Sequence, residues 1–158
     1  MERGAFLKTL FVYYSDDDTL KELCSKSASP DTDVCELHDI SGGSRTKKLL
    51  NSMRGEFTRI SGGAAADGYD TLIFAFDGRL GVLPAAFNTF LRDNDMRFKK
   101  ITTLVFGEGR AAKRAGDSLR TRVSLSGGTV DSVVHIPVKQ FKNYDEDALR
   151  FVRHKLAV

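Results

Sequence analysis

Two kinds of apolar run alternate along this chain. Short unbroken runs give way to longer stretches in which apolar positions recur every three or four residues. The run Thr71-Leu-Ile-Phe-Ala-Phe76 has no helical period and predicts a strand buried on both faces. Residues 8–14, 101–106 and 130–138 read as further strands, and 33–38 alternates, which predicts a strand near a sheet edge. Between them, Leu20, Leu23, Cys24, Ser27 and Ala28 mark one helical face. That helix opens on Ser15-Asp-Asp-Asp18, a side-chain cap followed by acids the helix dipole favours, and ends near Pro30. Leu49, Leu50, Met53, Phe57 and Ile60 predict a second helix, with Arg45, Lys47, Lys48, Arg54 and Arg59 off its apolar stripe. Such a basic face could hold a phosphate or an acidic partner, and a solvated face is the simpler reading. Pro84 stands where a third starts, with Leu83, Phe87, Phe90 and Leu91 at helical spacing. Residues 110–122 are helix-compatible and strongly basic. A last helix starts at Asn143-Tyr-Asp-Glu146, an asparagine cap with Glu at the third helical position. Ala148, Leu149, Val152 and Leu156 supply its core face. The Ser-Gly-Gly triplets at 41, 61 and 126 are irregularly spaced and punctuate loops rather than mark repeats.

The order βαβαβαβαβ predicts one α/β domain over residues 1–158. It is a three-layer α/β/α sandwich whose five-stranded parallel sheet runs 2-1-3-4-5. Ligands bind such sheets at the carboxyl ends of the strands. Three loops fall there: Ser15, Asp16, Asp17, Asp18 and Thr19 after the first strand, Asp77, Gly78, Arg79, Leu80 and Gly81 after the third, and Gly107, Glu108, Gly109 and Arg110 after the fourth.

Composition narrows the picture modestly. Net charge is +3 from 24 basic and 21 acidic residues, too mild to argue for nucleic acid or a membrane surface. No apolar run approaches the roughly 20 residues a membrane-spanning helix needs. The N-terminal segment ends its short apolar run in three aspartates and lacks a leader pattern. Cys24 and Cys35 fit a reducing compartment, so a cytoplasmic protein is expected. Two buried thiols are the simpler reading, a disulfide or redox pair the other. His38, His135 and His154 are not spaced as metal ligands, and no G-x-S-x-G sequence marks a nucleophile elbow.

Several pieces in order carry a resemblance. They are Tyr13-Tyr-Ser15, Gly68-Tyr-Asp-Thr-Leu-Ile73, Gly81 with Pro84 and Thr89-Phe-Leu91, Asp93-Asn-Asp95 before Lys99-Lys100, and the glycine loop after strand four. Over nearly its full length the chain resembles the flavodoxin family. The resemblance implies FMN held by the three loops above, electron transfer through the flavin, and a redox partner protein. The family's phosphate loop follows strand one and is rich in hydroxyls with a glycine. Here it reads Ser15-Asp-Asp-Asp-Thr19, without the glycine and with three carboxylates. A phosphate near −2 set about 4 Å from one carboxylate costs roughly 8 kcal/mol at an effective dielectric near 20, before solvent screening. The position of the family's stacking aromatic falls near Arg79. The cofactor site therefore reads as atypical and acidic.

Two other patterns share these residues. Receiver domains have the same topology, and Asp16–Asp18, Asp77 and Lys139 resemble their acid cluster and lysine, with Asp77 as phosphoryl acceptor. Against it, Gln140 stands where those domains carry proline and strand four ends in Phe106-Gly107. Alternatively the fold has lost FMN and works as a binding or regulatory module, recognising partners through the aspartates and the basic segments 45–59 and 110–122. A monomer and a homodimer both fit.

Overall fold

The computed structural model describes residues 8–15, 18–62, 65–137 and 146–157. The strands are β1 (Thr9–Tyr14), β2 (Thr32–Glu36), β3 (His38–Asp39), β4 (Ile60–Ser61), β5 (Thr71–Asp77), β6 (Lys100–Phe106) and β7 (Ser132–Ile136). The helices are α1 (Asp18–Ser27), α2 (Arg45–Met53), α3 (Ala85–Asp93), α4 (Gly109–Leu125) and α5 (Glu146–Ala157). A 3-10 turn, Ala66–Gly68, leads into β5.

β5 is the middle of a five-stranded sheet in the order β2-β1-β5-β6-β7. Every pairing in it is parallel. This is the expected 2-1-3-4-5 order once β3 and β4, which stand outside the sheet, are set aside. Side chains alternate across the sheet, and the two sets enter two cores. Leu10, Val12, Leu72, Phe74, Phe76, Ile101 and Val105 meet α3 and α4 residues such as Phe87, Phe90, Ala115 and Leu119. Phe11, Tyr13, Ala75, Leu104, Phe106 and Ile136 meet Leu20, Leu23 and Cys24 of α1 and Ala148, Leu149 and Val152 of α5. The result is a three-layer α/β/α sandwich. Phe74 packs edge-on against Phe87 and Phe90, which fixes α3 beside the central strand.

The loop that leads into β5 is closed by side chains bonded to backbone. Asn94 accepts from Ala66 N–H at 2.8 Å and donates to Phe90 O at 2.9 Å. Lys99 Nζ donates to Ala66 O and Tyr69 O at 2.8 and 2.7 Å. The Asp93–Asp95 and Lys99 pieces are thus the fasteners of the loop that delivers β5. Cys24 and Cys35 are buried thiols that are not joined in a disulfide, and Cys35 Sγ donates to Gly62 O. Burial and then the nearby Glu36 charge push the Cys24 thiol well above its ordinary range, as expected of an inert core cysteine.

The second helix departs from the periodic reading. It ends at Met53, and none of its residues is buried. Gly55, at φ +66°, turns the chain, with Arg54 N–H bonded to Leu50 O and Gly55 N–H to Ser52 O. Phe57 and Ile60 lie beyond that stop. Ile60 pairs with Asp39 in the two-stranded antiparallel β3–β4 sheet, which is too short to show in the apolar pattern. The Phe57 ring takes the guanidiniums of Arg92 and Arg122 at 4.6 and 5.3 Å. Leu83 likewise lies outside α3, entering the core from the loop ahead of Pro84. The Asn143 cap, Lys139 and Gln140 lie outside the described residues.

Candidate ligand site at the sheet switch point

β1 is followed by β2 on one side and β5 lies on the other, so the chain order reverses between β1 and β5. A cavity of about 470 Å³ opens at the carboxyl ends of these two strands. Among the described residues it is lined by Tyr14 at the end of β1 and Ser15 just after it, and by Asp77 at the end of β5 with Arg79, Leu80 and Val82 from the loop that follows. Pro84 and Ala85 contribute from the start of α3, Asp39 from β3, and Arg45, Thr46, Lys48, Leu49 and Ser52 from α2.

The β5 loop is fixed by its own residues. Arg79 donates its backbone N–H to Asp77 Oδ1 at 2.9 Å, and its Nε reaches both carboxylate oxygens at 2.9 and 3.0 Å. Gly78 N–H bonds Phe106 O at 2.9 Å. A Cβ at Gly78 would stand 2.4 Å from Val105 Cγ1, so only glycine lets this loop lie against β6. Gly81, at φ +77°, closes the turn onto Gly78 O.

The opposite wall is held by polar bonds rather than by apolar burial. Ser52 Oγ accepts from Ala85 N–H at 3.0 Å, satisfying an N-terminal donor of α3 that Pro84 leaves without a side-chain cap. Thr89 Oγ1 accepts from Thr58 N–H at 2.8 Å and donates to Thr58 O at 2.7 Å. Asn88 Nδ2 donates to Glu56 O at 3.1 Å. α2 and the segment that follows it are thereby hung on α3.

Charge in the cavity is mixed. Asp77 is matched by Arg79. Partial burial pushes the Asp39 carboxyl up, but hydrogen bonds from Ser41 and Thr58, with the Lys48 charge, outweigh it and hold the group below the ordinary carboxylate value. Lys48 Nζ donates to Asp39 O at 3.3 Å. Arg45 is exposed and has no carboxylate partner among the described residues. No group of three or more metal-ligating side chains is present among the described residues.

Of the residues picked from sequence, Ser15, Asp77, Arg79 and Leu80 meet in the cavity. Gly78 and Gly81 shape the loop from behind. Gly107, Glu108, Gly109 and Arg110 do not line the cavity. Gly107 sits against the stem of Arg79, where a Cβ would approach Arg79 Cγ to 3.2 Å, and Glu108 is the N-cap residue of α4. Asp18 opens α1 and is exposed. Asp16, Asp17 and the Thr19 side chain lie outside the described residues. Sequence reasoning missed Tyr14, Asp39, Thr46, Leu49 and Ser52. Arg45 and Lys48 were visible as a basic helix face, but nothing in their spacing tied them to this edge.

A groove of about 610 Å³ adjoins the cavity and shares Leu80, Val82 and Ser52 with it. Exposed Met53, Leu80 and Leu125 line it, with Arg114 and Arg122.

No family model matches the sequence, and no curated protein matches it. Solved structures do. A candidate flavoprotein from Bacteroides uniformis is similar over 96% of this chain and 99% of its own, at 15% identity and a TM-score of 0.73. A flavoprotein in complex with FMN from Lactobacillus acidophilus is similar over 82% of this chain and 93% of its own, at 19% identity and a TM-score of 0.64. A flavodoxin of Streptococcus pneumoniae is similar over 95% of this chain and 97% of its own, at 19% identity and a TM-score of 0.51. The chain has the flavodoxin-like fold.

Proposed function

We propose that the protein binds a flavin, FMN, in the cavity between β1, β5 and α2 and serves as an electron carrier or small reductase. One observation carries the reading: a cavity of about 470 Å³ lies at the reversal of strand order, where open α/β sheets take their ligands. The residues fit such a group. Tyr14, Leu49, Leu80, Val82 and Pro84 offer apolar and aromatic surface to a flat ring. Ser15, Thr46, Ser52, Arg45 and Lys48 offer hydroxyls and positive charge to a polar, anionic tail. Tyr14 would supply the aromatic surface that the sequence reading sought near Arg79. When bound, a flavin supplies reversible electron and hydride acceptance. The protein's part would be to hold the ring, keep water from one face and leave an edge open to a partner. Leu80, 70% exposed and on the cavity lining, would stand at that edge. The L. acidophilus protein, solved with FMN, supports the reading by analogy of fold.

The test is titration of the purified chain with FMN, following flavin fluorescence. Saturable quenching at micromolar FMN is expected. A protein that leaves FMN, FAD and riboflavin fluorescence unchanged would sink the reading.

A second reading has its own support. Exposed Met53, Leu80 and Leu125 in the neighbouring groove suit a module that recognises partners without a cofactor. Much of α4's positive charge is already engaged, however. Lys113 pairs with Asp117, Arg120 binds Val130 O, and Arg122 binds Gly55 O. The basic segment 110–122 is therefore less of a recognition face than its composition suggests, and the flavin reading stands first.

A further inference from the structure

The flavin reading leaves open which wall receives the ligand's charged end, and the inference here rests on that reading. The cavity lining carries Arg45, Lys48 and Arg79 against Asp39 and Asp77. Arg79 is taken up by Asp77. Asp39 Oδ1 already accepts from Ser41 N–H, Ser41 Oγ and Thr58 Oγ1. Those neutral donors leave the Asp39 charge in place, and Lys48 Nζ donates to Asp39 O at 3.3 Å. The lining therefore keeps one net positive charge, contributed from α2 by Arg45 and Lys48, one helical turn apart, with the hydroxyl-bearing Thr46 beside them. α2 has no acidic residue in its first turn to offset them. Asp18, by contrast, opens α1 and does not line the cavity.

We propose that Arg45 and Lys48 hold the phosphate of the bound flavin, so that this chain reads a phosphorylated ligand from α2 rather than from the start of α1. A phosphate monoester carries close to two negative charges at neutral pH and offers oxygens to several donors. Arginine grips such a group with paired N–H bonds, and lysine adds a point charge. These two residues thereby become the determinants of specificity for FMN over riboflavin, which has the same ring and no phosphate. Both project from a helix that buries none of its residues, so replacing them leaves the cores untouched.

The experiment is a paired titration with FMN and riboflavin of the natural chain and of Arg45→Gln, Lys48→Gln and Asp18→Asn, at low and at moderate salt. The natural chain should prefer FMN, and salt should erode that preference. Each α2 variant should lose FMN affinity by about tenfold while riboflavin stays within about twofold. Asp18→Asn should leave the FMN-to-riboflavin ratio within about twofold. Equal binding of the two flavins by the natural chain overturns the inference but leaves the flavin reading standing. So does an unchanged ratio in both α2 variants, or a gain of FMN affinity in Asp18→Asn larger than the loss in Arg45→Gln. No binding of either flavin overturns both.

Discussion

Arg79 folds back onto Asp77, two residues before it, and meets its carboxylate with the backbone N–H and the guanidinium at once. The backbone bond shapes the turn, and the side-chain bonds neutralise the carboxylate at the cavity wall. Asp77→Asn keeps an oxygen for the backbone N–H and removes the charge. The pair is partly exposed, so the stability change should stay within about 1 kcal/mol by urea denaturation. The cavity would gain one net positive charge. FMN binding should therefore strengthen relative to riboflavin, by less than about tenfold. A weaker FMN preference in paired titrations would show that Asp77 does not face the ligand's charge.

Thr89 serves the backbone of Thr58 in both directions, and both residues are buried. Thr89→Val keeps the shape and strands an N–H and a C=O. The expected cost is about 1–3 kcal/mol, from the desolvation of groups left unpaired. The same change should loosen α2's wall, so flavin affinity should fall with it. Denaturation curves that overlay those of the natural chain would contradict this.

Thr103 has the opposite problem. Its hydroxyl is fully buried in β6 and has no hydrogen-bond partner among the described residues. Thr103→Val removes that unpaired group and adds a methyl to the core beside Phe74, its register neighbour. Stabilisation of about 1 kcal/mol or more is expected, read as a higher urea midpoint with unchanged slope. A destabilised variant would mean that the site does not accept the methyl.

Tyr13, buried in β1, has its phenol raised to about 12 by burial and then by the Glu36 charge. The ordinary value is 10.0. Because the folded value is the higher one, the unfolded chain releases its proton first as pH rises. The stability tied to this group is intact below pH 10 and is lost between about pH 10 and 12, at up to roughly 1.4 kcal/mol per pH unit. Tyr13→Phe should flatten the alkaline limb of the stability profile after correction for its changed baseline. An identical alkaline slope in the variant would exclude Tyr13 as its source.

The sheet and the loops at its carboxyl edge could be read from sequence because their cause is local. A continuous run such as 71–76 has no polar face to expose, so it must be covered twice. The strand order followed from alternation with helices, and the position of the β5 loop followed from the order. The α2 wall was not legible for equally physical reasons. Its residues answer to Thr58–Thr89 and Ser52–Ala85, bonds between positions 31 and 33 residues apart that leave no periodic trace. Gly55 broke a helical period that Phe57 and Ile60 continued by chance. Arg45 and Lys48 look like any solvated helix face until the fold brings them to the edge of β1 and β5. Tyr14 was hidden as one more apolar residue of its strand's unbroken run.

The two walls of the cavity are unequal. The β5 loop leans on Phe106 and Val105 and so belongs to the core, whereas α2 buries no residue and hangs on a few hydrogen bonds. Amide protons on the two sides should therefore exchange with solvent on separate clocks. Those of β5 should report the opening of the whole molecule, and those of α2 a cheaper, local release. A ligand gripped by α2 would slow the second clock far more than the first, so the wall that contacts it would become ordered as it binds.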